Sequence, residues 1–303
     1  MLLLYPFFEW TVAMLNSGAS TVRKLSMNGL SLPQEIWKNF LNSVILPQLS
    51  DFDLSPLTPV PFADIHSLLG HNPSIQILYL YGVEVPEGVW PPPSLTIPIL
   101  PHLTSITAHP FYVVFILKSL LLDKKASPNL TNIAISSEPS HGAIGTTAAF
   151  NHALIDDALE CVAGFSRKIN LILRFGGLND GDINDWFEEH LAMRNGASKS
   201  SVISRLDNVT SLDAFLCYID YSWKTIEILP DWLGMFPNLR SINFGALTTQ
   251  NLRNLKKKEF VRKVAMACQK VEWLDIHGER LYLGKGGYLN ERDGWLGIQE
   301  RSA

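Results

Sequence analysis

This sequence is poor in basic charge, in paired cysteines and in membrane-length apolar runs. Its 25 Lys and Arg stand against 29 Asp and Glu, a net charge of −4. Without a cationic field, neither nucleic acid nor an anionic membrane surface is an expected partner. The three cysteines, Cys161, Cys217 and Cys268, are far apart and none forms a CxxC pair. That argues against a disulfide framework and a thiolate zinc site, and it points to a reducing compartment, cytoplasm or nucleus. The longest later apolar run, 111–122, contains Lys118 and falls short of the ~20 residues that span a bilayer. The opening MLLLYPFF has no basic stretch before it, is broken by Pro6 and lacks a small-residue cleavage site, so it is not read as a secretory signal.

Catalytic motifs are missing as well. Ser166 has no GxSxG context, the GKGG at 284–287 lacks the spacing and trailing hydroxyl of a phosphate loop, and the histidines are scattered. The run Asp180-Gly-Asp182-Ile-Asn184-Asp185 starts like a calcium loop. Its sixth position is Asp185 instead of glycine and its twelfth is Leu191 instead of glutamate. No catalytic residue, metal or cofactor is expected, and the chain is not read as an enzyme. The sequons at Asn129 and Asn208 overlap repeat strands and are read as coincidental. The basic run Lys256, Lys257, Lys258, Arg262 and Lys263 is read as a solvated helix face, with a targeting signal as the other reading.

What the sequence does have is a repeat. An LxxLxL pattern, with conservative replacements, recurs at Val22/Leu25/Met27, Leu49/Phe52/Leu54, Ile75/Leu78/Leu80, Leu103/Ile106/Ala108 and Leu130/Ile133/Ile135. Its first positions are 27, 26, 28 and 27 residues apart, within the roughly 20 to 29 of leucine-rich repeats. It returns at Val209/Leu212/Ala214, Leu239/Ile242/Phe244 and Val271/Leu274/Ile276, with a blurred copy in 169–175. Five copies carry a proline two residues ahead of the first apolar position: Pro47, Pro73, Pro101, Pro128 and Pro237. Alternate side chains of a strand share a face, so the last two apolar positions point into the core. A proline just ahead ends the preceding helix and marks the turn into the strand.

Helices are expected between the strands at 33–44, 62–69, 111–122, 151–165, 182–193 and 259–269; Ile36, Trp37, Phe40, Leu41 and Val44 follow the helical spacing. A strand–turn–helix unit cannot bury both faces alone, so stacking is required. The expected fold is an α/β leucine-rich-repeat solenoid, a right-handed horseshoe or arc of about nine irregular repeats. Parallel strands are expected on the concave face and helices on the convex face. Residues 1–21 are read as an N-terminal helical cap or remnant, 22–277 as the solenoid and 278–303 as a C-terminal cap or partly disordered tail. The proline-rich stretch 85–101 is expected to be an extended loop, and 136–147 and 195–201 to be exposed insertions that lengthen two repeats to 39 and 40 residues.

The phrases LPQLSDFDLS, LPHLTSITAHP and LPDWLGMFPNLRSINF resemble the leucine-rich-repeat half of the F-box proteins of basidiomycete fungi, over nearly the whole chain. The resemblance implies capture of a substrate protein by the repeats. It also implies an F-box that docks on the adaptor of a cullin-type ubiquitin ligase. No F-box is found here: the repeats begin at Val22, and the LPQEIWKNFL of 32–41, which has the look of an F-box first helix, lies between two repeat strands and is read as a repeat helix. The chain is thus expected to be a fragment, a gene product lacking its start, or a free-standing repeat protein acting as scaffold or inhibitor. An adaptor is a partner only if an F-box lies upstream.

The binding residues expected on this scaffold are those facing away from the core: Asp51, Asp53, Tyr79, Tyr81, Thr107, His109, Asp213, Phe215, Asn243, Trp273, Asp275 and His277. Exposed aromatics supply contact area at small entropic cost, and aspartates select basic side chains. The expected partner is a protein with Lys/Arg contacts, bound by a monomer of this chain.

Overall fold

The structure, a computed structural model, describes residues 6–17, 21–83, 85, 98–122, 129–136, 151–176, 180–195, 200–217, 223–244, 254–276, 278–284, 287–290 and 294–297. The chain divides into two compact units, Met1–Thr147 and Ala148–Ala303.

In the first unit the described elements run α1 (Phe7–Leu15), β1 (Lys24–Asn28), α2 (Gln34–Ser43), β2 (Asp51–Ser55), α3 (Phe62–His71), β3 (Ile77–Leu80), β4 (Ser105–Ala108), α4 (Pro110–Leu121) and β5 (Asn132–Ser136), strands and helices alternating except between β3 and β4. The five strands pair in parallel and in sequence order, with Leu25, Phe52, Leu78, Ile106 and Ile133 in register. The apolar rows Phe52/Leu54, Leu78/Leu80, Ile106/Ala108 and Ile133/Ile135 are all buried. Each such leucine contributes roughly 1.5–3 kcal/mol by leaving water.

One carbonyl per repeat sets the stacking. The oxygen of the residue before each strand accepts two N–H groups from the next repeat. Arg23 O takes Ser50 (2.8 Å) and Asp51 (2.9 Å), and Ser50 O takes Gln76 (2.8 Å) and Ile77 (2.9 Å). Gln76 O takes Thr104 (2.7 Å) and Ser105 (3.1 Å), and Thr104 O takes Thr131 (2.9 Å) and Asn132 (3.2 Å). Just upstream, a tight turn leads into each of β2, β3 and β4, closed by Leu49 N to Leu46 O, Ile75 N to Asn72 O and Leu103 N to Leu100 O at 3.0–3.3 Å. Pro47, Pro73 and Pro101 occupy the second position of these turns, where the fixed proline φ is wanted and no N–H is needed.

Fully buried Asn72 ties two repeats together. Its Nδ2 donates to Val44 O (3.2 Å) and Leu68 O (2.8 Å), and its Oδ1 accepts from Leu46 N (2.7 Å). The helices pack through aromatics, with the Phe62 ring 5.3 Å from Phe111 and 5.0 Å from Phe115.

The second unit holds α5 (His152–Ala163), β6 (Ile169–Gly176), α6 (Asp180–Asn195), a short 3-10 turn (Ile203–Arg205), β7 (Val209–Cys217), α7 (Trp223–Leu233), β8 (Ser241–Phe244), α8 (Asn254–Ala267) and β9 (Trp273–Ile276). Three further strands follow: β10 (Glu279–Gly284), β11 (Gly287–Asn290) and β12 (Gly294–Gly297). Strands β6 to β9 pair in parallel, and β9 to β12 antiparallel. The blurred copy resolves as β6, with Ile169, Leu171, Leu173 and Phe175 buried. The double acceptor recurs at Arg240 O, which takes Glu272 N (2.7 Å) and Trp273 N (3.4 Å). Between α6 and α7 the Trp232 ring lies 5.6 Å from Trp186 and 4.6 Å from Phe187.

Several expectations change. Helix α7 carries Pro230 inside it, and that proline hid the helix from the sequence pattern. Strands β10, β11 and β12 form a β-meander that no repeat signal announced. Two ends of the expected exposed insertions are buried, Ser136 at 3% and Ser201 at 1% exposure; residues 137–147 and 196–199 lie outside the described residues. In the proline-rich stretch, Ile99 and Leu100 are buried, and 86–97 lie outside the described residues. Among the described residues no helix is long and apolar enough to cross a membrane.

The Asn72 tie gives a direct stability test. Asn72→Ala leaves a buried N–H and two buried carbonyls short of a partner and is expected to lower unfolding stability by about 2–4 kcal/mol. The exposed Asn16 makes a similar bond, accepting from Ile45 N at 2.8 Å, and Asn16→Ala is expected to cost about 1 kcal/mol or less. Urea denaturation of the two variants measures the difference.

Candidate functional site

Strand alternation sends every second side chain of β1–β5 away from the core. Register then lines them up as Lys24–Asp51–Ile77–Ser105–Asn132 and as Ser26–Asp53–Tyr79–Thr107–Ala134. Asp51, Asp53, Tyr79, Thr107 and, just past β3 and β4, Tyr81 and His109 are half-buried, while Ile77 is 45% exposed. The row closes at β5, where Ala134 is 1% exposed.

Within this face Asp53 is held on one side. Its Oδ2 accepts from Ser26 Oγ (3.1 Å) and Asn28 Nδ2 (2.7 Å); its Oδ1 is buried and has no hydrogen-bond partner. Asp51 accepts from Ser50 Oγ at 2.6 Å. The Tyr79 and Tyr81 rings stack, with centroids 6.2 Å apart and planes 30° apart. His109 is spent on the fold: its Nδ1 accepts from Phe111 N (3.2 Å) and caps α4, whose first residue is Pro110. Burial pushes the His109 imidazole down to about 4, and a nitrogen that accepts a cap hydrogen bond must be unprotonated.

In the second unit, Asp213, Asn243 and Asp275 share one row across β7–β9, with Ile172 on β6 and Arg280 on β10 in register. Burial pushes the Asp213 carboxyl above the usual carboxylate range; a hydrogen bond with Asn243 opposes the shift, nearby Asp275 adds to it and Arg174 opposes it. Asp275 caps the hairpin, accepting from Gly278 N at 2.7 Å, and Gly278 adopts φ +74° there. The Arg280 guanidinium lies 4.6 Å from the Trp273 ring centroid. Phe215 lies on β7 with its side chain outside the described residues, as is His277. The predicted site residues therefore fall in two sets: Asp51, Asp53, Tyr79, Tyr81, Thr107 and His109 in the first unit, and Asp213, Asn243, Trp273 and Asp275 in the second.

Two polar constellations went unnoticed in the sequence. Ser201 Oγ lies 2.8 Å from His190 Nδ1, and His190 Nε2 lies 3.2 Å from Asp156 Oδ1, which also accepts from Trp186 Nε1 at 3.0 Å. The residue types are those of a hydrolase triad, but His190 and Ser201 are each 1% exposed and Ser201 Oγ accepts from Ile203 N (3.1 Å). The set is a satisfied buried network that ties the residues after α6 back onto α5 and α6. No local motif announces it, because its members come from three segments.

The second is a polar groove of about 400 Å³, lined by Lys168, Asp207, Thr210, Asn238, Arg240, Lys270 and Glu272 at the turns leading into β6–β9. Lys270 Nζ donates to Pro237 O (2.7 Å) and Asn238 Oδ1 (2.8 Å), and Arg240 pairs with Glu272 at 3.1 Å. These bonds link neighbouring turns.

Asp182, Asn184 and Asp185 lie on helix α6 instead of in a loop, and among the described residues no group of three or more His, Cys, Asp or Glu is placed to hold a metal ion. In the basic run, Lys257 pairs with Glu279, Lys263 pairs with Glu259 one helical turn away, and Lys258 and Arg262 are exposed on α8. Cys161 and Cys268 are buried and outside any disulfide, and burial pushes the Cys268 thiol up to about 12. No protein-family model matches this chain, and no curated protein matches it.

Two tests follow from this geometry. Because His109 is neutral when folded but titrates near 6.5 when unfolded, its contribution is fully present above about pH 6.5 and is lost as pH falls towards 4. His109→Asn keeps a capping acceptor and removes the titration. Urea midpoints between pH 7 and 4.5 are expected to fall less steeply in the variant, by up to about 3 kcal/mol at the acid end. For the buried network, a fluorophosphonate probe is expected to leave Ser201 unlabelled in the native protein by peptide mass spectrometry, since no reagent reaches its Oγ; labelling at native pH would contradict the structural role.

Proposed function

We propose that this chain is a leucine-rich-repeat module that binds a protein through the outward faces of its strands and does no chemistry of its own. The observation that carries this reading is the register of β2 and β3, which sets Asp51 beside Ile77 and Asp53 beside Tyr79, with Tyr81 stacked on Tyr79. Apolar and aromatic groups next to carboxylates, on sheet positions not used for the core, combine desolvatable contact area with charge selectivity. The repeat spacing and the strand–turn–helix alternation support the solenoid class. A protein ligand suits it because an open strand face offers area in place of a cleft for a small substrate.

The narrower proposal follows the likeness to fungal F-box proteins: the module is the substrate-capturing part of a ubiquitin-ligase subunit. A free-standing scaffold is the alternative, and the two differ in whether the ligase adaptor accompanies the full-length gene product.

Affinity capture followed by quantitative mass spectrometry, run in parallel on the wild-type chain and on a variant carrying Asp51→Asn, Asp53→Asn, Tyr79→Ala and Tyr81→Ala, tests the face directly. The expected result is a specific partner whose affinity falls by about tenfold or more in the variant, as for loss of interface anchors, with the thermal midpoint nearly unchanged. Equal retention of every captured partner by a folded variant would remove the strand face as the binding surface.

A further inference from the structure

Both units place a carboxylate beside an aromatic ring on outward strand positions, and in one of them a guanidinium of the chain itself covers the ring. On β9, Trp273 and Asp275 are alternate residues of one strand. The next strand sets Arg280 opposite Asp275, and its guanidinium rests over the Trp273 ring, 4.6 Å from the centroid. A planar cation stacked on an aromatic beside a carboxylate is a favourable arrangement, which a lysine ammonium reproduces only in part.

The first unit has the same pairing on neighbouring strands, Asp53 opposite Tyr79. Among the described residues, no Lys or Arg lies within ion-pair distance of Asp53. Lys24 is the register partner of Asp51 instead. The Asp53 carboxylate has its Oδ2 engaged by two neutral donors, while its buried Oδ1 has none. Such an oxygen forgoes stabilisation that a donor could restore. Strands lie about 4.8 Å apart, so a flat group against the Tyr79 side of the face reaches Asp53 with its edge.

We infer that the Asp53–Tyr79–Tyr81 position is a guanidinium subsite, filled by an arginine side chain that a partner protein supplies, as Arg280 supplies one from within the chain to the Trp273 ring. The inference rests on the proposed use of this face for binding and names the group recognised there. Arginine fits better than lysine because its planar group can donate an edge N–H to the carboxylate while its face lies on the ring. The occupant is an arginine on an extended or loop segment able to lie along the strands; a lysine-rich or acidic segment is not.

The probe is argininamide, with an acetylated Gly-Ser-Arg-Ser-Gly amide as the peptide form, titrated into ¹⁵N-labelled protein and followed by amide chemical shifts. Saturable shifts at Asp53, Tyr79 and Tyr81 are expected, weakened about tenfold or more in Asp53→Asn, weaker for lysinamide, and unchanged in Asp275→Asn. Asp53→Asn keeps the size and an acceptor for Ser26 and Asn28, and a dispersed spectrum confirms that it folds; Tyr79→Leu is the second variant and is also expected to weaken binding. Unmoved amides at this position, equal affinity of Asp53→Asn, or equal binding of lysinamide would each overturn the subsite.

The two proposals fail differently. Argininamide docking at Asp53, with every captured protein retained by the fourfold variant, would sink the protein-binding role but keep the subsite. A partner lost in the fourfold variant but insensitive to replacement of its own arginines would do the reverse.

Discussion

Each repeat in the first unit is anchored to the next by one backbone oxygen that takes two N–H groups. Arg23, Ser50, Gln76 and Thr104 play this part in turn, and the Ser50 and Thr104 hydroxyls also donate to the carbonyl before them. The bond fixes where the following strand begins, which fixes the register of the apolar rows. A one-residue slip would move Phe52, Leu78 and Ile106 from the buried face to the outward one. It therefore also fixes which side chains are left outside. The outward row is a by-product of the same constraint that buries the core.

Similar residue types on that outward surface meet different fates. Asp275 is consumed by a hairpin turn at Gly278. Asp213 is pushed above the usual carboxylate range by burial, against a hydrogen bond with Asn243. His109 is consumed by the N-terminus of α4. Asp53 alone among these combines neutral donors on one oxygen, an unmatched second oxygen and an aromatic pair beside it. A list of outward residues treats them as equals; their local bonds rank them.

The Ser201–His190–Asp156 set carries a related lesson. Residue types and distances alone match a catalytic relay, yet burial and the Ile203 amide bond make it a packing device. Catalysis needs a nucleophile that substrate can reach, and this serine has no surface. The network performs for its region what Asn72 performs for the first unit, matching polar groups that packing between neighbouring elements removes from water.

Much of the fold was legible in the sequence because the core is periodic. Alternating leucines, isoleucines and prolines report strands and turns one residue at a time, and the six expected helices appear within a few residues of their expected bounds. Helix α7 was not legible, since Pro230 argues locally against a helix that packing of Trp232 and Leu229 sustains. Nor was the β10–β12 meander, whose pairing partners are set by the edge of β9 and not by any repeat. The sequence by itself determined the alternation of strands and helices and which residues turn outward, because both depend on short-range spacing. Only the tertiary structure decided that Asp53 keeps an unmatched oxygen while Asp275 and His109 do not, because hydrogen-bond partners are chosen across strands and turns by distances that no linear spacing encodes.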